Sequence, residues 1–459
     1  MKTSHKTAGG GASRRRAGTE WSRRDFLRRG GLWLGAAAGA PGFLAGGSSP
    51  GGKLNIACVG VGGRGWSDLQ AVDGENIVAI CDVDEVRAGA ALKRFGRRRF
   101  YRDFRRMLDR HAKEIDAVVA ATPDHTHAAV VMAAIELGKH VYCEKPLAHS
   151  LYEARRVTEA ARAKGVRTQL GNQGHSFSSI RRFCEMIWSG VIGQVREIHA
   201  FCRHSYCPST RVRPKETPPP PKTLDWDLWL GPAMWRPYHP VYLPGKWRGW
   251  VPFGTGIVGD WVCHVVDPVF WALDLGAPTV VRAEAVDYAD PRIRAETYPP
   301  GARIEYQFPA KGSRPAVKLT WHEGSAAPPR PPELEPGREL PRIGAWVAGD
   351  KGTIMYGSHG AAGVQLIPAK RMREYKMPPP TLPRSKGHHR EWIEACKGGP
   401  EAGSNFNYGG PLTEIALLGV LAMRFNGQTL HWDARSLRVL NLPEANRWVR
   451  PPWREGWRL

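Results

Sequence analysis

Three groups of residues in this 459-residue chain have types and spacings suited to chemistry. The first is Gly60-Val61-Gly62-Gly63-Arg64-Gly65, a G-x-G-x-x-G turn directly after the apolar run 54–59. Asp82 ends a second apolar run, 77–81, 22 residues beyond Gly60. Strand, glycine turn, helix, strand and terminal acid in this order form a dinucleotide-binding fingerprint. Gly60 permits the tight turn, Gly62 lets backbone approach a pyrophosphate, and Gly65 lets helix and strand pack closely. The helix that opens at Gly63-Arg64 turns its N–H groups and partial positive charge toward the phosphates. Asp82 would accept hydrogen bonds from ribose hydroxyls. A carboxylate there repels a 2′-phosphate, which favours NAD over NADP; Arg87 partly offsets the repulsion.

The second group is Glu144-Lys145-Pro146 and the third is Asp260 with His264. Oxidising a secondary alcohol removes a hydroxyl proton while hydride leaves carbon. Lys145 follows a strand end, where a nicotinamide is expected. An ordinary lysine, with pKa about 10.4, is a poor base at neutral pH. Partial burial and a cationic neighbour both make it a better one. Asp260 and His264 are four residues apart, so on a helix they share a face. His264 would relay a proton, and Asp260 would orient His264 or sugar hydroxyls. Plainer readings stand beside these: an ion pair between Lys145 and Glu144, a helix cap at Asp260, a core histidine at 264. Thr122-Pro123 with His125 and His127 also follows a strand. Two histidines do not make a metal site, and no third ligand sits at a useful spacing, so no metal is expected. His127 reads as cofactor-lining or helix-capping.

The elements that must position these groups alternate. Residues 115–121, 139–143 and 166–170 read as strands, with helices over 125–137 and 151–164 between them. That pattern predicts an α/β chain whose N-terminal half, 53–172, is a Rossmann domain with a doubly wound parallel sheet. Its functional residues belong at the carboxyl ends of the strands. Gln173 and His175 follow the last of these strands and are candidate substrate or nicotinamide contacts.

From about residue 194 the pattern becomes runs at 195–201, 280–286, 304–308, 317–321 and 344–347. These predict a C-terminal α+β domain, 173–459, built on a large, open, mainly antiparallel sheet. Two Pro-rich stretches, 208–222 and 324–341, read as surface loops. Asp267-Pro268 reads as a helix kink. Eighteen Trp is a high count. Trp226, Trp229, Trp235, Trp247 and Trp250 cluster with Tyr238, Tyr242, His239 and Arg248. Trp247 and Arg248 suit a sugar's C–H face and hydroxyls; the same cluster also suits core or dimer packing.

The glycine turn, Asp82, Thr122-Pro123 with His127, and above all Glu144-Lys145-Pro146 resemble the Gfo/Idh/MocA oxidoreductases. Gly259-Asp260-Trp261-Val262-Cys263-His264 resembles that family's D-x-x-x-H segment. Residues 411–433 resemble its closing helix and strand. The resemblance implies hydride transfer between NAD and a secondary hydroxyl of a sugar, polyol or glycoside. Lys145 would be the acid/base, with Asp260 and His264 beside it. It implies a homo-oligomer joined through the second domain's sheet. It also admits a redox-neutral cycle giving hydrolysis, elimination or epimerisation, and a non-catalytic sugar-binding protein.

Residues 1–50 carry nine basic residues against two acidic, with Arg23-Arg24 before Phe26-Leu27 and a Gly/Ala-rich apolar stretch. This resembles a twin-arginine (Tat) export signal, which implies the Tat machinery as a partner and a periplasmic or otherwise extracytoplasmic location. Tat substrates cross already folded, so a cofactor can be loaded first and retained. No apolar run is long enough for a stable membrane span once the signal is removed. The formal charge of +23 is concentrated in this leader and in residues 86–115. The latter reads as solvated helix faces, with no nucleic-acid-binding motif beside it. None of the eight Cys forms a C-x-x-C pair. A Cys202–Cys207 bridge stays open.

Overall fold

The computed structural model describes residues 52–459. The leader expected over residues 1–50 lies outside the described residues. The first sheet has six strands: β1 (Asn55–Val59), β2 (Asn76–Cys81), β3 (Phe100–Tyr101), β4 (Ala117–Ala120), β5 (His140–Cys143) and β6 (Thr168–Leu170). Their order is β3-β2-β1-β4-β5-β6, and every pairing is parallel. The chain order reverses between β1 and β4, and this is where a doubly wound sheet opens its ligand crevice.

Helices cover the sheet because its strands are apolar on both faces. The first, α1 (Arg64–Val72), buries Gly65, Asp68, Leu69 and Val72, one face at helical spacing. Next, α2 (Asp124–Glu136) is buried on almost every side. The third, α3 (Leu151–Lys164), is closed at its start by a capping box. Ser150 accepts from the Glu153 N–H, and Glu153 accepts from the Ser150 N–H.

The second sheet has nine strands: β7 (Val195–Cys202), β8 (Val280–Ala285), β9 (Gly301–Phe308), β10 (Val317–Gly324), β11 (Ile343–Gly349), β12 (Gly352–Gly357), β13 (Ala362–Ile367), β14 (Thr429–Asp433) and β15 (Arg438–Val439). They lie in the order β13-β12-β11-β7-β10-β9-β8-β14-β15. All pairings are antiparallel except β7 with β10. One face is apolar and packed under helices. The other carries an ion-pair ladder: Arg303 meets Glu284 at 2.7 Å and Glu305 at 3.1 Å, and Lys318 meets Glu305 at 3.3 Å. Alternating burial along β9 produces this split.

Two helices tie the halves together. The first, α4 (Gly256–Val265), is buried except around Trp261. It bends by 49° into the helix Asp267–Leu273, whose first turn holds Pro268. This is the expected kink. The second, α5 (Phe406–Arg424), packs against both α3 and α4. It starts well before residue 411. Cys202 and Cys207 are free thiols, as are the other six Cys.

Candidate active site

A cavity of about 1130 Å³ opens at the carboxyl ends of β1, β2, β4 and β5. Its floor is the glycine turn. Gly60 has φ 79°, and a Cβ there would lie 2.6 Å from the Ala121 carbonyl oxygen. A Cβ on Gly65 would lie 1.7 Å from the Gly60 oxygen, so α1 presses directly on the strand end. At Gly62 the close neighbour is the Arg87 backbone, 2.9 Å from the same imagined Cβ. Side-chain-free backbone therefore shapes the floor. The N-terminus of α1 has no side-chain cap and no acid in its first turn. Its N–H groups remain for an anion, which fits the pyrophosphate of a dinucleotide.

Asp82 sits at the rim. Its two carboxylate oxygens accept the Val61 N–H at 2.9 Å and the Asp84 N–H at 3.0 Å. Burial pushes its carboxyl up to about 6, against the pull of those two N–H groups. The acid thus holds the glycine turn while facing the cavity. Thr122 and Pro123 line the opposite wall. His127 ties that wall to the next strand end: its Nε2 lies 2.8 Å from the Thr122 oxygen and its Nδ1 2.7 Å from the Pro146 oxygen.

Beneath lies a buried polar network. Glu144 Oε1 accepts from Arg64 Nε at 3.1 Å and from Gln173 Nε2 at 2.6 Å. Arg64 also donates to Asp68 at 2.7 Å, and His389 Nε2 approaches the same oxygen at 3.1 Å. Burial, with Asp68 close by, pushes Glu144 up to about 7, against the attraction of Arg64 and Lys145. Burial likewise raises Asp68 to about 6.

On the substrate side Lys145 meets Asp260. Its Nζ forms an ion pair with Asp260 Oδ1 and donates to the Asp260 carbonyl at 3.1 Å. The peptide Lys145–Pro146 is cis. Asp260 is held from two further directions, by Tyr206 O–H at 2.5 Å and by Arg248 Nε at 3.3 Å. Burial alone would raise its carboxyl. Lys145 and Arg248 overcome that and hold it well below the usual carboxylate range. Trp247 and Arg248 line the cavity with Lys145, and the Arg248 guanidinium stacks 4.3 Å over Trp247.

His264 shares α4 with Asp260, yet no hydrogen bond joins them. Its ring packs on His359 at 4.2 Å and on Trp261 at 5.8 Å, and its buried Nδ1 has no partner among the described residues. Burial, then the charge of Lys145 and the nearby His359, holds it well below the usual histidine range, so it is neutral at pH 7. The expectation that Asp260 orients His264 is corrected: Asp260 is taken up by Lys145, Tyr206 and Arg248.

His175 is also corrected. Its Nδ1 meets Asp267 at 3.0 Å, its ring stacks 4.6 Å from Trp271, and it lies outside the cavity that Lys145 lines. Gln173 reaches the cleft only through Glu144. Most of the aromatic cluster is core: Trp226 and Trp229 stack at 4.8 Å, and Trp250 and Phe253 are fully buried around them. Tyr206, His359 and His389 are site residues that no local pattern marks.

A strap crosses the outer end of the cleft. The Arg454 backbone N–H donates to Pro232 O at 2.9 Å, and its guanidinium pairs with Asp227 at 2.5 Å. Trp457 then lies 6.1 Å from the Phe104 ring and 4.4 Å from the Arg105 guanidinium, and it lines the cavity.

Residues 54–172 match a family model described as "Oxidoreductase family, NAD-binding Rossmann fold". Residues 200–308 match its companion, "Oxidoreductase family, C-terminal alpha/beta domain". Both are models of the Gfo/Idh/MocA oxidoreductases, and the stretch that matches the first is a Rossmann domain of the NAD-binding kind. Inositol 2-dehydrogenase of Salmonella typhimurium is 32% identical over 152 residues, 32% of this chain and 45% of that protein. D-apiose dehydrogenase of Paraburkholderia graminis is 34% identical over 128 residues, 28% of this chain and 33% of that protein. The chain thus spans less than half the length of these curated relatives.

Solved structures agree over more of the fold. An inositol dehydrogenase homolog from Azotobacter vinelandii, complexed with NADH and myo-inositol, gives TM-score 0.54 at 18% identity, covering 83% of this chain and 98% of that one. The WlbA dehydrogenase of Bordetella pertussis, in complex with NADH and UDP-GlcNAcA, gives 0.56 at 18%, covering 83% and 99%.

Proposed function

We propose that this protein is an NAD-dependent oxidoreductase acting on a secondary hydroxyl of a sugar, polyol or glycoside, with Lys145 as acid/base. The observation that carries the reading is the Lys145–Asp260 pair, set in the same cleft as the glycine turn and Asp82. NAD, when bound, supplies the hydride acceptor. The glycine turn, the α1 N-terminus and Asp82 would hold it. Lys145 takes the hydroxyl proton in oxidation and returns it in reduction. Asp260 fixes Nζ, and Tyr206 and Arg248 fix Asp260, so the amine keeps one position while the proton moves. The relatives named above are polyol and sugar dehydrogenases by name, which supports this substrate class.

The strap supports a retained cofactor. Trp457 must leave Phe104 and Arg105 before the outer end of the cleft opens fully. Export by the twin-arginine route would demand retention, since no free nicotinamide pool is expected outside the cytoplasm. A retained cofactor also favours a second reading, a redox-neutral cycle in which the carbonyl formed activates its neighbouring carbon and is then re-reduced.

Protein purified without added nucleotide and then denatured should release near-stoichiometric NAD, identified by mass spectrometry. Mixed with cyclic polyols, aldoses and glycosides, it should yield reduced nicotinamide and a carbonyl product. A rearranged or cleaved product with no net reduced nicotinamide selects the redox-neutral cycle. An NAD-loaded protein inert toward the whole panel contradicts the substrate class, and bound NADP contradicts the role given to Asp82.

A further inference from the structure

A second cavity, of about 1250 Å³, lies away from the Lys145–Asp260 pair, between α3, α5 and the segment before the strap. Leu417, Val420, Val251 and Pro452 give it apolar walls, and Trp448 and Trp453 give it flat ones.

Its polar groups are nearly all committed. Glu153 is its only carboxylate among the described residues. One of its oxygens accepts the His149 and Ser150 N–H groups at 3.0 and 3.1 Å, and the other accepts Trp453 Nε1 at 2.7 Å. His125 and His149 have ring nitrogens on backbone carbonyls. Arg236 is paired with Glu296 at 2.8 Å through one terminal nitrogen, though its buried Nε has no partner among the described residues.

Arg424 is the one whose charge is wholly unpaired. It lines the cavity from the end of α5 and stacks 3.9 Å over Trp448, and it makes no hydrogen bond or ion pair among the described residues. A guanidinium presents five N–H donors in a planar fork that matches a carboxylate. Leaving such a charge unpaired among apolar side chains is costly.

We infer that this cavity is a second binding site, for a carboxylate carried on a flat apolar body, with Arg424 taking the carboxylate and Trp448 and Trp453 bounding the body. A sugar or a free phosphate does not suit it, because the walls offer few other free donors. The site is independent of the reaction proposed above.

The test is calorimetric titration of the NAD-loaded protein with 2-naphthoate and, separately, with neutral 2-naphthamide. Saturable binding of naphthoate is expected, with the amide weaker by about tenfold or more, the usual worth of a charge-assisted hydrogen bond. Arg424→Met should weaken naphthoate to the level of the amide. Val420→Trp, one turn before Arg424 on α5, crowds the space beside the guanidinium but keeps the charge, and should weaken binding of both. Should Arg424→Met fail to fold, the amide comparison and Val420→Trp decide alone. Equal affinity for acid and amide, displacement of naphthoate by excess NAD, unchanged binding in Val420→Trp, or no binding at millimolar naphthoate overturns the proposal.

Discussion

The two halves of the cleft treat their polar groups differently. On the cofactor side nearly every group is already paired within the protein: Asp82 holds two backbone N–H groups, His127 spans two strand-end loops, and Glu144 holds Arg64 and Gln173. On the substrate side one buried carboxylate, Asp260, gathers Lys145, Tyr206 and Arg248, while His264 keeps a buried nitrogen without a partner. The first half is a rigid cradle. The second gathers three donors on one carboxylate and leaves one buried ring nitrogen unpaired. The difference teaches that binding and chemistry place opposite demands on neighbouring residues, even on Glu144 and Lys145, which are adjacent in sequence. Pre-pairing lowers the cost of organising the site on binding. Proton transfer needs a group whose two protonation states are both reachable.

Breaking the substrate half should have the largest effect. Asp260→Asn removes the counter-charge of the Lys145 ammonium and should cut turnover by about a hundredfold, within the range of acid–base contributions. Single-turnover rates of the variant and the wild type, compared at equal nucleotide content, check it. An unchanged rate would mean Asp260 has only a structural role.

Loosening the cradle from outside should do less. Trp457→Ala removes the contacts with Phe104 and Arg105 and should speed NAD release by about tenfold, the equivalent of one modest aromatic and cation–π contact. Stopped-flow release of bound nucleotide measures it, and turnover in excess NAD should be unchanged.

The smallest effect is on stability. Glu144 is pushed up to about 7, above the ordinary carboxylate value it regains on unfolding. The folded state therefore binds its proton more tightly, and the associated stability, full below the unfolded value, is lost as pH rises through about 7. Glu144→Gln should flatten the fall in melting temperature between about pH 5 and 8 by a few degrees. Asp68, raised to about 6, continues to titrate.

The parallel half of the fold was open to reading because its strands are short apolar runs buried on both faces and punctuated by glycine. The core strands of the nine-stranded sheet, β7 to β11, were also visible. Strands β12 and β13, at one end of that sheet, escaped because glycines bound or interrupt both, leaving little alternation to detect. Lys145 and Asp260 stand in recognisable motifs. Tyr206 does not: it comes from an irregular loop and joins the site only through folding over α4. His359 is similar, delivered by a turn after β12. His175 misled for a physical reason. The rule that functional residues follow strand ends holds for Glu144 after β5. After β6, however, a 3₁₀ turn carries His175 to Asp267 instead.

The central claim is that Lys145 moves the proton while the cradle holds the cofactor without it. Its most direct test is a single-turnover comparison of wild type and Lys145→Ala, each carrying its NAD, against a reactive polyol or sugar. The account predicts a burst of reduced nicotinamide in the wild type, slowed about a thousandfold in the variant at equal nucleotide content. A burst of the same rate in Lys145→Ala would contradict it and leave Lys145 as the structural partner of Asp260.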